Sequence, residues 1–296
     1  SDLAQFESSW VEPIKTSYRG YEVAELPPSG QGLVALMALN IFKNRSVKKA
    51  DVDYYHEMFE AMKMAFADGL HYITDPDLMS MNPQSLIEEA YGKRRYKQIT
   101  KSAQIHSDDD PYSGGTVYLS CADKDGNMVS MIQSTYMGFG SGIVVKDTGI
   151  ALHNRGADFK LDENHINVLA PNKKTYHTII PGMLLKDGQC AGVFGVMGAY
   201  MQPQGHFQVI SNLLDFDLNP QMALDAPRWQ WVKDKTFMVE ANFDPKIIQE
   251  LEERGHIIKV VDDRTHFGRG QIILKLEHGV YVAGTESRTD SNLAIY

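Results

Sequence analysis

The period of the apolar pattern changes once along this chain, and that change limits the fold more than any other feature. Before it, apolar residues recur at helical spacing. "LVALMALNIFKN" (33–44) is apolar almost throughout. From Ala50 onward Phe59, Met62, Phe66 and Leu70 form a stripe at helical intervals, which predicts a core-facing helix. "DPDLM" (75–79) breaks that helix, and a third is expected over 85–96, where "YGKRRYKQ" reads as a solvated helix end. A short strand (20–26) and a turn-rich loop, "PPSGQG" (27–32), precede them. Residues 100–113 are polar, acidic and aperiodic, the best linker candidate. Beyond them "TVYLSCAD" alternates, with Val117, Leu119 and Cys121 on one face. "DKDGN" (123–127) marks a tight turn, and "MVSMIQST" reads as the returning strand. Further strands are expected at 142–145, 150–153, 179–185, 191–196, 256–261, 270–276 and 279–285. Helices are expected at 204–216, 220–226 and 245–255, the last ending at Gly255. Helices first, then mixed and mostly antiparallel strands, imply layered sheets flanked by helices. No internal repeat is visible.

At 296 residues the chain suits one large domain or two small ones, with 43% apolar and 23% charged residues, as in ordinary globular proteins. The net charge of -9, from 38 acidic and 29 basic residues, speaks against a general nucleic-acid or anionic-membrane binder. No apolar run approaches the ~20 residues of a membrane span. The two cysteines, Cys121 and Cys190, lie in strand-like apolar contexts and are expected to be buried thiols. No Cys/His spacing resembles a zinc site. The start, "SDLAQFESSW", has no initiator Met and no signal peptide, and reads as the middle of a protein. A targeting segment could have been lost with a missing part. The compartment stays open, with the cytoplasm slightly favoured.

Several common chemistries are missing. There is no GxSxG elbow, no Walker A sequence and no GxGxxG following a strand. "GFGSG" (138–142) has neither the lysine nor the strand–loop–helix context of a phosphate cradle and reads as a turn. What remains is "GGT" at 114–116. Were the Gly115–Thr116 bond cut, Thr116 would gain an α-amine with a pKa near ~8. That amine would serve as the base for the threonine's own hydroxyl. Glycine before the threonine tolerates the strained backbone such a cleavage needs. From spacing alone, a threonine that merely opens a strand is the simpler reading.

The whole ordered set of motifs resembles the gamma-glutamyltranspeptidase family of N-terminal-nucleophile hydrolases. It runs from "YRGYEVAELPPSGQG" (18–32) and "MKMAFADGLHYITDPD" (62–77) to Thr116 with "DKDGN" at the family's spacing. It continues through "GFGSGIVV", "GIALHNRGADF", "APNKKTYHTIIPGMLLKDG", "GVMGAYMQPQGHFQVISNLLDF" and "ALDAPRWQW" to "AGTESRTDSNLAIY". The resemblance implies an α+β fold, the four-layer αββα sandwich. It implies autocleavage between Gly115 and Thr116, so that 1–115 is the C-terminal part of a large subunit and 116–296 the small subunit, interlocked as one unit. The family's first part of the large subunit is absent from this sequence. It is an expected partner, and it supplies an arginine that grips the substrate carboxylate. Two processed heterodimers pairing is a further option. The substrate implied is a γ-glutamyl or related acyl amide, with no metal or organic cofactor.

Roles carry over by position. Thr116 is autoprocessing residue and nucleophile, Ser134 its supporting hydroxyl, and Asp158 the acid for the substrate's α-amino group. Gly198 and Ala199 stand where a glycine pair presents its N–H groups to the oxyanion. Substrate-side positions fall on Tyr136, Arg155, His177 and Thr178. The departures are Ala199 for the second glycine, Tyr136 for an asparagine, His177 and Thr178 for two serines, and a short stretch (160–170) where many members carry a covering loop. These changes weaken glutamyl selectivity more than the nucleophile, and they point to an acylase-like branch similar to cephalosporin acylases. A short lid favours hydrolysis over transfer. Each residue also has a structural reading. Ser134 would bond a strand edge, Asp158 a turn, and Arg155 an acid. His177 would be a satisfied core histidine, and Tyr136 would simply pack. The whole chain would then be a non-catalytic relative that binds an amino-acid-like ligand.

Overall fold

The computed structural model describes residues 5, 7–106 and 115–296. Strands β1 (Ile14–Tyr18) and β2 (Tyr21–Glu25) form a hairpin. Its two turn residues, Arg19 and Gly20, both take positive φ, which matches the twist of the flanking strands. Helix α1 (Gly32–Phe42) is buried along its whole length, as a sequence apolar on every side requires. Helix α2 (Val52–Tyr72) packs against it. The Asp51 carboxylate caps α2 by accepting the Tyr54 N–H at 3.0 Å. The short α3 (Glu89–Tyr96) also lies on α1, with its basic residues in the last turn, as expected of a solvated helix end.

Strands β3 (Gly115–Ala122) and β4 (Met128–Tyr136) pair antiparallel across the "DKDGN" turn. That turn is tied by the Asp123 carboxylate, which accepts the N–H groups of Asp125 and Asn127, each at 2.9 Å. Next come β5 (Gly182–Lys186), β6 (Gln189–Met197), α4 (Met201–Asp215) and α5 (Pro220–Asp225). They are followed by β7 (Trp229–Lys233), β8 (Thr236–Glu240), α6 (Pro245–Glu253) and β9 (Ile257–Val261). Strands β10 (Arg269–Lys275) and β11 (Tyr281–Thr285) end the series.

Six strands form one antiparallel sheet in the order β1-β2-β5-β6-β10-β11. Its two faces are covered differently. On β6, Phe194 and Val196 point to α4: Phe194 meets the His206 ring edge-on, and Gly205 of α4 abuts Val196. Gly195 points the opposite way, to the Tyr118 ring of β3. The described chain therefore stacks a helical layer, the six-stranded sheet and the β3–β4 hairpin. A smaller sheet, β7-β8-β9, carries the parallel pair β8/β9 joined through α6. A buried ion network anchors the C-terminal segment to it: Arg288 reaches Glu240 at 2.6 Å and Glu286 at 2.8 Å, and Arg228 reaches Glu286 at 2.9 Å.

The structure corrects the sequence reading at several points. Residues 142–145 and 150–153 make one isolated bridge, Val144 to Ala151, and no strands. Positive φ at Gly142, Asp147 and Gly149 breaks the run there. Helix α4 begins three residues earlier than expected. Strands β1, β7 and β8 were not foreseen. Cys121 is exposed and Cys190 only partly buried, because β3 turns Val117, Leu119 and Cys121 outward, where no described residue covers them. The expected linker is half secondary anchor: residues 100–106 are pinned to α2. Residues 107–114, with Gly114 of the GGT run, lie outside the described residues.

Candidate active site

The β3–β4 ladder slips by one residue at its open end. Gly115 pairs with Tyr136 and Val117 with Gln133, so Ser134 and Thr135 together oppose Thr116. Such a bulge re-aims side chains. Here it brings the Thr116 hydroxyl to 3.2 Å from the Ser134 Oγ, with Thr116 only 8% exposed. Ser134 Oγ also accepts the Tyr136 N–H at 2.8 Å. Tyr136 itself has φ 78, a left-handed backbone that a bulky residue adopts only when its surroundings impose it.

What holds Tyr136 is its hydroxyl, which donates to Asp158 Oδ1 at 2.7 Å. Tyr200 donates to the same oxygen at 3.4 Å, while the buried Oδ2 has no partner. Burial raises the Asp158 carboxyl above the ordinary range, against the hydrogen bond from Tyr136 and the attraction of Arg155. Arg155 and Asp158 sit on one 3-10 turn, Arg155–Asp158. The Arg155 guanidinium lies over the Tyr136 ring, 5.1 Å from its centroid, and its Nη1 donates to Thr178 Oγ1 at 3.1 Å.

From Thr178 the network runs to a residue that sequence reasoning passed over. Gln31, fully buried at the start of α1, donates from Nε2 to Thr178 O at 2.6 Å and to Ala199 O at 2.7 Å, and its Oε1 accepts from Tyr176. Gln31 lies inside the quoted "PPSGQG" loop, but nothing local marks it, because its partners are more than 140 residues away along the chain. The Gly198–Ala199 turn that it holds closes β6 and opens α4. Gly198 has φ 138 and Ala199 φ 49. Alanine thus takes the left-handed conformation here, at a cost of roughly 1 kcal/mol. Both backbone N–H groups lie at the N-terminal end of α4, where a helix favours negative charge.

His177 stays apart from this chemistry. Its N–H donates to Ser29 O, its carbonyl accepts from Gln31, and its Nδ1 accepts the Ile179 N–H. Burial first, and then the charges of Arg155, His153 and Lys174, lower its pKa to about 3, so the ring is neutral. The structure therefore links Thr116, Ser134, Tyr136, Asp158, Arg155, Thr178 and Ala199 in one set of contacts, and leaves His177 in a backbone role beside it.

A second buried cluster lies on α2. His56, Glu60 and His256 bring their ligand atoms within 4.8 Å of one another. Those atoms are already engaged. His56 Nδ1 and His256 Nε2 share a hydrogen bond of 2.8 Å, and the Lys63 ammonium sits 2.6 Å from Glu60. A cation against the carboxylate disfavours a metal there, and the group acts as a clamp on residues 100–106. Among the described residues no helix is long and apolar enough to cross a membrane.

Over residues 1–296 the sequence matches the family described as gamma-glutamyltranspeptidase. It is 37% identical to the glutathione hydrolase-like YwrD proenzyme of Bacillus subtilis, over 98% of this chain and 57% of that protein. It is 32% identical to the oxamate amidohydrolase proenzyme of Klebsiella pneumoniae, over 100% of this chain and 57% of that one. The fold superimposes on the cephalosporin acylase of Bacillus halodurans with a TM-score of 0.94 and 55% identity, covering 100% of this chain and 55% of the acylase. The chain thus spans a little over half the length of these relatives.

Proposed function

Because this chain belongs to the gamma-glutamyltranspeptidase family, we propose that it carries the nucleophile half of an autoprocessing amide-bond hydrolase. Its substrate is a γ-glutamyl or related acyl amide. The observation that carries the reading is the bulge-made pair of hydroxyls, Thr116 and Ser134, 3.2 Å apart at the first turn of pairing after Gly115.

In processing, Thr116 Oγ1 attacks the Gly115 carbonyl carbon and the Gly115–Thr116 C–N bond breaks, leaving an ester. The hydroxyl proton passes to the departing nitrogen, which becomes the free α-amine, and water then hydrolyses the ester, freeing a Gly115 carboxylate and the Thr116 hydroxyl. In turnover that amine takes the hydroxyl proton as Oγ1 attacks the substrate carbonyl. The Gly198 and Ala199 N–H groups stabilise the tetrahedral oxyanion, and such a donor is worth about 3 kcal/mol in the transition state. The C–N bond breaks, the leaving amine departs with the proton, and water releases the acyl group from Oγ1. Ser134 orients the hydroxyl, and the orphaned Oδ2 of Asp158 faces the acyl group's amine where one is present. The short 160–170 stretch favours water over a second amine as the acceptor.

The outward face of the β3–β4 hairpin supports a partner layer. Val117, Leu119, Val129 and Met131 are 44–60% exposed there, an inverted pattern for a strand whose other face is already packed. The remaining length that the relatives carry would cover it and complete the four-layer sandwich.

Intact-mass spectrometry of the full-length protein beside Thr116→Ala tests the reading. We expect two fragments meeting at Gly115–Thr116 in the wild type and one chain in the variant. A single chain in both, with no release from acyl anilides, would favour a ligand-binding relative without turnover.

A further inference from the structure

We infer that Asn154 is a positioning residue for the paired hydroxyls: it sets the peptide that aims Ser134 at Thr116, and through Ser134 it governs the rate of attack. This rests on Thr116 as the nucleophile.

Tyr136 follows Ser134 by two residues and has φ 78. A side chain of that size does not stay in the left-handed region unless its surroundings hold it there. The bond from its hydroxyl to Asp158 fixes the ring. The N–H that meets Ser134 belongs to the backbone, and the ring alone does not orient it. The turn beyond offers little help. Gly138 and Gly140 both have positive φ, and Phe139 between them is exposed. Nor can Gly140 carry a stiffer residue, because a Cβ there would stand 2.4 Å from Leu152 O.

Asn154 supplies the missing support from both sides. Its N–H donates to Thr135 O at 3.1 Å. Its Oδ1 accepts the Met137 N–H at 3.0 Å, and its Nδ2 donates to Met137 O at 3.1 Å and to Gly140 O at 3.2 Å. The backbone before and after Tyr136 is thereby pinned to the residue that opens the Arg155–Asp158 turn. Thr135 O and the Tyr136 N–H are opposite ends of one rigid peptide. Asn154 holds the first end, and the second donates to Ser134 Oγ at 2.8 Å. Ser134 Oγ in turn receives the Thr116 hydroxyl at 3.2 Å. From Asn154 to the reacting oxygen the path therefore crosses one peptide and one hydroxyl. The chemistry of the contact selects a carboxamide. Met137 offers a donor and an acceptor side by side, and an amide answers both. Aspartate keeps the shape but has no donor, and it would set a carboxylate against two carbonyl oxygens.

The test uses the full-length protein with Asn154→Asp, Ser134→Ala and the double variant. Cleavage at Gly115–Thr116 in freshly translated protein is followed by intact mass. The kcat and KM for γ-glutamyl p-nitroanilide are then measured per cleaved molecule. We expect Asn154→Asp to slow cleavage and lower kcat by about 10- to 100-fold, with KM within about threefold of wild type. In the Ser134→Ala background the same substitution should cost less than about threefold, because the link it acts through is gone. Losses that multiply would overturn the inference, and so would a less stable variant that keeps kcat. Cleavage needs no added substrate, so it carries the comparison if the anilide is not accepted. Urea midpoints report whether each variant folds, and Asn154→Ala replaces Asn154→Asp if the latter does not. If the wild type neither cleaves nor turns over the anilide, the nucleophile reading has failed separately. Asn154 is then judged by hydrogen exchange, as it is where Ser134→Ala alone leaves no measurable rate. Asn154→Asp should lose protection at the Tyr136 amide and keep it along β6. An unchanged Tyr136 amide would count against the positioning role.

Discussion

Gln31 shows how a single amide can govern two loops. Its Nε2 satisfies the carbonyls of Thr178 and Ala199, so replacing it strands two buried acceptors together. Gln31→Leu should therefore destabilise the protein by about 2–4 kcal/mol, seen as a lowered urea midpoint. Because the freed Ala199 turn is the proposed oxyanion site, kcat should fall more than KM changes. A variant that loses stability but keeps kcat would reduce Gln31 to a structural bolt. At this scale the ordered motifs singled out Thr116, Ser134 and Asp158, and the fold joins them through Tyr136 in one set of contacts. Gln31 was not singled out, because a hydrogen bond across 147 or 168 residues leaves no local pattern. For Arg155 the sequence left two readings open, and among the described residues its side chain meets the Thr178 hydroxyl and the Tyr136 ring.

Between elements, the histidine clamp joins α2 to the residue just before β9 and to the stretch leading towards the proposed processing junction. His56 Nε2 donates to Thr100 O at 2.8 Å, which leaves Nδ1 to accept from His256. Lys63 donates to Gln104 O at 2.5 Å, and Glu60 meets His106 at 2.9 Å. Burial first, then Lys63 and His56, lowers the His256 pKa to about 3, against the pull of Glu60, and burial lowers that of His56 as well. An unfolded histidine titrates near ~6.5. The clamp's contribution is therefore complete above that pH and is lost as pH falls from there towards 3. Between pH 6.5 and 5 the unfolding free energy should decline, and His256→Gln should flatten the slope in urea titrations. An unchanged slope would show that other groups set the acid limit. Helix α2 itself was plain in the sequence from its stripe and its Asp51 cap. Strands β7 and β8 were hidden because the charged Lys233–Asp234–Lys235 turn interrupts a short run that only its pairing partners define.

Across the whole molecule, the order of helices and strands predicted a mixed fold with a helical layer against antiparallel strands, but not which face of the hairpin would be left bare. Alternation says that two faces differ. It does not say which one a neighbour covers, and the inner face here is the one bearing Thr116, Tyr118 and Ser130. If a further layer covers Leu119, then Leu119→Asp should lower the Tm of the full-length protein by several degrees, the scale of about 2 kcal/mol in a protein of this size. An unchanged Tm would leave that face to solvent. The contact between the two sheets has a further consequence. A methyl group on Gly195 would stand 2.3 Å from the Tyr118 ring, so the gap between the layers is gauged by a side chain that is not there. The hairpin on one side of that gap bears the proposed nucleophile, and the strand on the other side runs into the proposed oxyanion turn. The alignment of the chemistry thus depends on a shim set back from it. Drift at Gly195 would be felt first as lost rate, in a protein that still folds.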